Sequence, residues 1–163
     1  MAERQAVVLL RLSGVASAPV PTELLTAVPR VVVATEANLP TSGVCYWTGR
    51  TWRLVVEANE PIEQQRLTVM HEFKHVIDHP RRDLLYATHD LSEQVADHFA
   101  LCTLIPRRLV TRAWCGGQQD TEALASTFVV PRTAIERRLQ GLGHLESIPE
   151  PQAPAPPLNG DNV

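Results

Sequence analysis

The residues of this sequence best suited to do chemistry are two histidines and a glutamate in the segment HEFKH, namely His71, Glu72 and His75. On a helix, residues four apart lie on one face, so both imidazoles can bind the same metal ion. Glu72 would then lie beside a metal-bound water and act as a general base. The alternative is a solvated helical face that carries these residues by chance. We predict a catalytic metal site at this segment.

The third metal ligand must come from another segment, because a catalytic zinc ion usually has three protein ligands and a water. Glu93 and Asp97 are four residues apart in the otherwise mostly apolar stretch 91–104. Buried carboxylates need a cation or hydrogen bonds to offset their desolvation. We therefore predict Glu93 as a ligand and Asp97 as the acceptor of a ligating histidine's other ring N–H. The alternatives are a capping box of Glu93 with Asp90 and a purely structural hydrogen bond for Asp97.

Other side chains near these segments are weaker candidates for a role in the site. Tyr86 and His89, on the connection before Glu93, are candidates to stabilise an oxyanion. We expect His79 to be a surface residue or to contact a ligand residue without binding the metal, and His98 to be a packed or surface residue. Zinc suits two imidazoles and a carboxylate best, although Mn²⁺ and Fe²⁺ accept the same ligands.

Two helices must position these residues. Pro61 and Pro80 predict the start and stop of a first helix at about 61–79, with Val69, Met70, Phe73, Val76 and Ile77 on its core face. A second helix at about 91–104, with Asp90 as its N-cap, ends before Pro106. Because Pro80 breaks the chain between them, the helices can fold back antiparallel and bring Glu93 against the histidines.

The remaining elements predict an α+β fold, with a small antiparallel sheet packed on a mainly helical, zincin-like core. The turn at 48–50 joins two β-branched and aromatic segments into a hairpin. We expect one metallopeptidase domain at 1–145, whose helical C-terminal part is 106–141, and a flexible Pro-rich tail at 146–163. The predicted strands are 30–35, 43–47 and 51–57, and the predicted shorter helices are 21–28, 106–114, 120–127 and 131–140.

Composition limits the classes of protein that fit. The 163 residues carry a net charge of -3, which argues against general nucleic-acid binding. Cys45, Cys102 and Cys115 form no CxxC pair, so we expect neither a disulfide framework nor a thiolate zinc site. No segment approaches the roughly 18 apolar residues of a membrane-spanning helix. We expect a cytoplasmic protein.

Three stretches resemble the ImmA/IrrE-type zinc metallopeptidases: RLTVMHEFKHVIDH, SEQVADHFALCTLIP and LASTFVVPRTAIERRL. The resemblance covers roughly residues 20–141. It implies that His71, His75 and Glu93 bind zinc, that Glu72 is the catalytic base, and that the substrate is a helix-turn-helix regulator cleaved to relieve repression. The sequence departs from the family at Lys74, where many members have Gly, and we expect this lysine to alter access to the metal or to contact a substrate.

Two other functions fit parts of the sequence. Residues 122–139 form a weak helix-turn-helix pattern that is compatible with DNA binding. We favour a helical hairpin packed on the core and do not expect direct DNA binding, given the net charge. The protein could also be a non-cleaving, metal-containing partner of a repressor, although a structural metal site has no use for Glu72. In the favoured hairpin the core residues are Leu124, Phe128, Ile135 and Leu139.

Overall fold

The fold belongs to the α+β class, as predicted, and residues 1–145 are described by a computed structural model. The predicted flexible tail at 146–163 lies outside the described residues. Short 3₁₀ helices occur at Thr22–Ala27 and His79–Arg81. The regular elements are α1 (Ala2–Leu12), β1 (Val31–Glu36), β2 (Gly43–Trp47), β3 (Trp52–Glu57), α2 (Ile62–Asp78), α3 (Arg82–Leu85), α4 (His89–Leu104), α5 (Arg107–Cys115), α6 (Thr121–Phe128) and α7 (Arg132–Gly141).

The sheet is mixed rather than antiparallel, so this part of the prediction was wrong. β2 and β3 form the predicted antiparallel hairpin, but β1 runs parallel to β3 and the strand order is β1-β3-β2. β3 occupies the centre and is the most buried strand, with Leu54, Val55 and Val56 at most 3% exposed. β1 pairs with the edge of β3 that faces away from β2, and it runs parallel to β3.

α2 lies between the sheet and α4 and contacts both. Its Val69, Met70 and Phe73 are buried in the core, on the predicted apolar face. Ile77, which we placed on the same face, is 36% exposed. The histidines of the motif thus lie on a helix that is held from two sides.

α4 begins earlier than predicted, and its N-cap is Thr88 rather than Asp90. Thr88 has extended backbone geometry and its hydroxyl accepts a hydrogen bond of 3.2 Å from the N–H of Leu91. Asp90 already lies in the first helical turn, where its charge suits the helix dipole. Since Glu93 lies beyond the position that closes a capping box, the capping alternative for Glu93 does not hold.

Residues 2–12 form α1, a helix to which our sequence analysis assigned no element. Ala2, Ala6 and Leu10 recur every four residues and are buried, and α1 packs along α4. This spacing is the signal that could have identified the helix. Glu3 of α1 is joined to α7 by an ion pair of 2.6 Å with Arg138.

α6 and α7 form the packed helical hairpin that we favoured over a DNA-binding motif. Its four predicted core residues are 0–1% exposed. Val129, between the helices, has left-handed backbone geometry with φ of 51°. Within residues 1–145, no helix is both long and apolar enough to cross a membrane.

Candidate metal centre

α2 and α4 bring together the three residues predicted as metal ligands. The Nε2 atoms of His71 and His75 are 3.1 Å apart. Glu93 approaches from α4, with Oε2 3.1 Å from His71 Nε2 and Oε1 3.3 Å from His75 Nε2. One ligand atom from each of the three side chains thus converges on a single, half-buried position.

Asp97 sets the orientation of the first histidine. Its Oδ1 lies 2.9 Å from His71 Nδ1. A carboxylate cannot donate, so Nδ1–H is the donor and the Nε2 lone pair faces the other two ligands. Arg137 of α7 lies 3.5 Å from the second oxygen of Asp97 and helps to hold it. Asp97 therefore occupies the position that we predicted for a histidine-orienting carboxylate.

The three ligand atoms fit a metal ion in both spacing and chemistry. Tetrahedral ligands about 2.0–2.1 Å from one zinc ion lie about 3.3 Å from one another. The two Nε2 atoms are 3.1 Å apart, and the two carboxylate oxygens of Glu93 lie 3.1 Å from His71 and 3.3 Å from His75. Two imidazole lone pairs and a carboxylate lie close together here, and all of them are electron-pair donors to a metal or acceptors of hydrogen bonds. A bound cation stabilises such a group.

The two histidines differ in their electrostatic surroundings. Burial lowers the pKa of His71, but its hydrogen bond with Asp97 and the charges of Glu72 and Glu93 outweigh burial and raise the pKa overall. Burial lowers the pKa of His75, and Glu93 offsets this only in part. Burial thus favours the neutral form of His75, which is the form that binds a metal.

Glu72 lies on the sheet side of the site, against β2. Burial raises the pKa of Glu72, and hydrogen bonds from the thiol and backbone of Cys45 lower it in part. Burial also raises the pKa of the Cys45 thiol, to about 12, with the Glu72 charge adding to the effect. β2 comes closest to α2 at Gly43, where a Cβ atom would overlap Thr68 and contact Glu72. The candidate base is thus held in a tight, partly dry position between α2 and β2.

Lys74 does not have the role that we predicted from its place in the motif. It is fully buried and forms an ion pair with Asp78, and the Tyr86 hydroxyl donates to the same carboxylate. A fully buried lysine cannot contact a substrate, so that expectation was wrong. Lys74 instead ties α2 to the segment that leads into α4. Its charge is compensated within the core, away from solvent.

The two oxyanion candidates lie in different surroundings. The Tyr86 hydroxyl is engaged with Asp78 and Lys74, and burial together with the Asp78 hydrogen bond raises its pKa. His89 is 69% exposed, and its Nδ1 lies 3.3 Å from Glu93 and 2.9 Å from Arg82. The structure therefore brings His89 to the rim of the site and holds Tyr86 in the buried network of Lys74.

His79 and His98 lie near the motif but outside the group of candidate ligands. The His79 ring stacks edge-on against Trp52, with the ring centres 4.7 Å apart. His98 is exposed on α4 and lies 3.4 Å from the Cys102 sulfur. Sequence analysis missed the contributions of Cys45 and Arg137, because both come from distant segments and carry no local pattern.

A helix that carries HExxH, paired with a second helix that carries an acidic residue against it, defines a metallopeptidase-like domain. The profile of the IrrE N-terminal-like domain family, Peptidase_M78, matches residues 30–140. The matched range runs from β1 into α7 and contains every ligand candidate. The chain belongs to this family, which confirms the resemblance found in the sequence.

Comparison with solved structures supports the same fold. A Mycobacterium tuberculosis transcriptional regulator superposes with a TM-score of 0.69 and 20% sequence identity. The match covers 85% of this chain and 46% of the regulator, so this chain spans less than half the length of that protein. At this identity the likeness shows the fold alone. No curated protein matches the sequence.

Proposed function

We propose that this protein is a zinc-dependent endopeptidase that cleaves a helix-turn-helix repressor or a similar regulatory protein. The observation that carries the proposal is the convergence of His71, His75 and Glu93 beside the half-buried carboxylate of Glu72. Two imidazoles and one carboxylate leave a coordination position free for water or substrate, which is typical of catalytic zinc sites. Mn²⁺ and Fe²⁺ would accept the same ligands.

The residues around the site support a division of roles. When bound, the metal supplies a Lewis acid that polarises the peptide carbonyl and makes a water more acidic. Glu72 would take a proton from the attacking water and deliver it to the nitrogen of the leaving amine. Burial raises the pKa of Glu72, which makes it a stronger base than an exposed carboxylate. Asp97 would keep His71 in the ligating tautomer.

The sheet offers a surface on which an extended substrate segment can bind. β2 is an edge strand, and it lies directly against the Glu72 side of α2. An edge strand has unpaired backbone groups that can hydrogen-bond to a peptide in β conformation. Val44, Tyr46 and Trp47 of β2 are each more than 40% exposed and are available to contact substrate side chains. This arrangement fits a polypeptide substrate.

The proposed substrate and the proposed cellular compartment are supported by different observations. A helix-turn-helix regulator as substrate is what the ImmA/IrrE resemblance implies. We place the activity in the cytoplasm, where the free cysteines Cys45, Cys102 and Cys115 would stay reduced. Arg138 lies in the segment 122–139 that is compatible with DNA binding, but it is 4% exposed and paired with Glu3, so it is not free to bind DNA.

Metal content and the role of Glu72 test the proposal together. We expect about one zinc per chain in the purified protein, lost in His75→Ala and Glu93→Ala. Glu72→Gln should retain the metal, because Glu72 is not a ligand, and should lose cleavage of a reporter substrate. Wild-type protein without metal would refute the site. Equal cleavage by Glu72→Gln would refute the catalytic role of Glu72. No cleavage by the metal-loaded wild type would favour the non-cleaving partner.

A further inference from the structure

A groove between α1 and α5 is built from residues that the metal site does not use. Its volume is about 900 Å³. The walls come from α1, the turn that follows α1, α4, α5 and α7. Leu10, Cys102 and Leu109 on its floor are at most 8% exposed, and Val7 and Val15 extend the apolar surface toward the rim. Such a groove offers a hydrocarbon chain a dry surface on several sides.

Arginines surround this apolar floor. Five of the chain's 15 basic residues line the groove, although the chain as a whole has a net charge of -3. The acidic residue that lines it, Glu3, is already paired with Arg138 at 2.6 Å. None of the ion pairs found within residues 1–145 includes the other four arginines. The four arginines without an ion pair are Arg11, Arg107, Arg108 and Arg112.

We propose that this groove binds a medium- or long-chain fatty acid, with the alkyl chain on the apolar floor and the carboxylate held by arginines. Arg108 and Arg112 are the best placed to hold the carboxylate, since they are four residues apart on one face of α5 and both line the groove. Guanidinium groups bind carboxylates through paired, charge-assisted hydrogen bonds. The proposal is independent of the peptidase activity.

The shape of the groove favours a small amphiphile over a protein segment or a membrane surface. Pockets for small molecules have volumes of about 300–1,000 Å³, mostly apolar walls and a few polar groups that fix orientation. This groove meets those conditions, with Arg138 as a 4% exposed charged group at its wall. A bilayer would need a protruding apolar surface, whereas here the apolar residues line a concavity. An extended peptide would need partners for its backbone N–H and C=O groups on a floor that is largely apolar.

Calorimetric titration of the full chain with laurate, below its micellar concentration, is the test. We expect one molecule to bind per chain, with the dissociation constant falling about fourfold per methylene from octanoate to laurate. Dodecanol should bind more weakly because it lacks the charge. Arg108→Ala with Arg112→Ala should weaken laurate binding about tenfold or more. Arg50→Ala with Arg81→Ala removes the same charge from exposed positions outside the groove and should bind as the wild type does.

A second variant tests the apolar floor without disturbing buried residues. Val7 is 58% exposed and lines the groove, so we expect Val7→Trp to fill the groove without unfolding α1. We expect weaker laurate binding with an unchanged circular dichroism spectrum. The proposal is overturned by equal binding in the groove variants and the control, by a wild-type dissociation constant weaker than about 1 mM, or by binding to anionic vesicles alone. Laurate binding only after removal of 146–163 would show that this segment is the occupant and would also overturn it.

Discussion

Replacing Lys74 with Met should destabilise the domain strongly, because it leaves a buried carboxylate without its cation. Lys74 is fully buried and its partner Asp78 is 5% exposed. Removing one partner of a buried ion pair costs about 3–5 kcal/mol. Because the Tyr86 hydroxyl still donates to Asp78, we expect the lower end of this range, about 3 kcal/mol. Thermal unfolding with a chelator present should show Tm lower by roughly 6–12 °C.

The double variant Lys74→Met with Asp78→Leu separates loss of charge balance from loss of packing. With both charges gone, stability should return to within about 1 kcal/mol of the wild type. The pair Arg132–Glu136 has the same four-residue spacing but lies on the surface, so Arg132→Met should change stability little. A loss below about 1 kcal/mol in Lys74→Met, or a double variant as unstable as the single one, would refute the reasoning.

Three further predictions concern the elements that hold the site and the groove. Gly43→Ala should cost about 1–3 kcal/mol in urea unfolding, because its Cβ would push β2 away from α2, while Gly141→Ala, whose Cβ meets nothing, should cost nothing. Thr88→Ala should cost about 1 kcal/mol by the same measurement, because its hydroxyl caps α4, and an unchanged variant would contradict that assignment. The hydrogen bond from Arg138 lowers the pKa of Glu3, so this carboxylate adds stability above its unfolded pKa and loses it as pH falls through the lower folded value. Glu3→Gln should therefore lower the free energy of unfolding at pH 7 and make it decrease less steeply as the pH falls. Parallel curves of unfolding free energy against pH for wild type and variant would refute this contribution of Glu3.

The candidate ligands could be predicted from sequence because most of their geometry is local. Helical spacing alone puts His71 and His75 on one face. Glu93 needed a further physical step, which was to expect a buried carboxylate on an apolar helix and hence a cation nearby. Its side chain is 39% exposed, so the expected burial holds only in part. The structure brings these residues together, but their roles as ligands stay predictions until metal content is measured.

The failures have a common physical cause, which is that the decisive partner lies elsewhere in the chain. The apolar residues of β1 have the same pattern whether the strand pairs parallel or antiparallel, so its direction could not be predicted. The spacing of Lys74 and Asp78 is that of an ordinary exposed helical ion pair, such as Arg132–Glu136. Only the packing of neighbouring elements over α2 distinguishes the buried pair from the exposed one.

The burial of Lys74 also bears on the candidate metal site, because this lysine lies between His71 and His75 in sequence. An uncompensated positive charge so near His71 and His75 would repel a divalent cation, and more strongly in a partly dry site than in water. Asp78 neutralises that charge by forming an ion pair with Lys74. Asp78→Asn should therefore weaken zinc binding, although Asp78 is not a ligand, whereas Lys74→Met with Asp78→Leu should leave it unchanged. Competition with a chelating dye measures both affinities, and equal zinc binding in Asp78→Asn and wild type would show that the lysine charge does not reach the site.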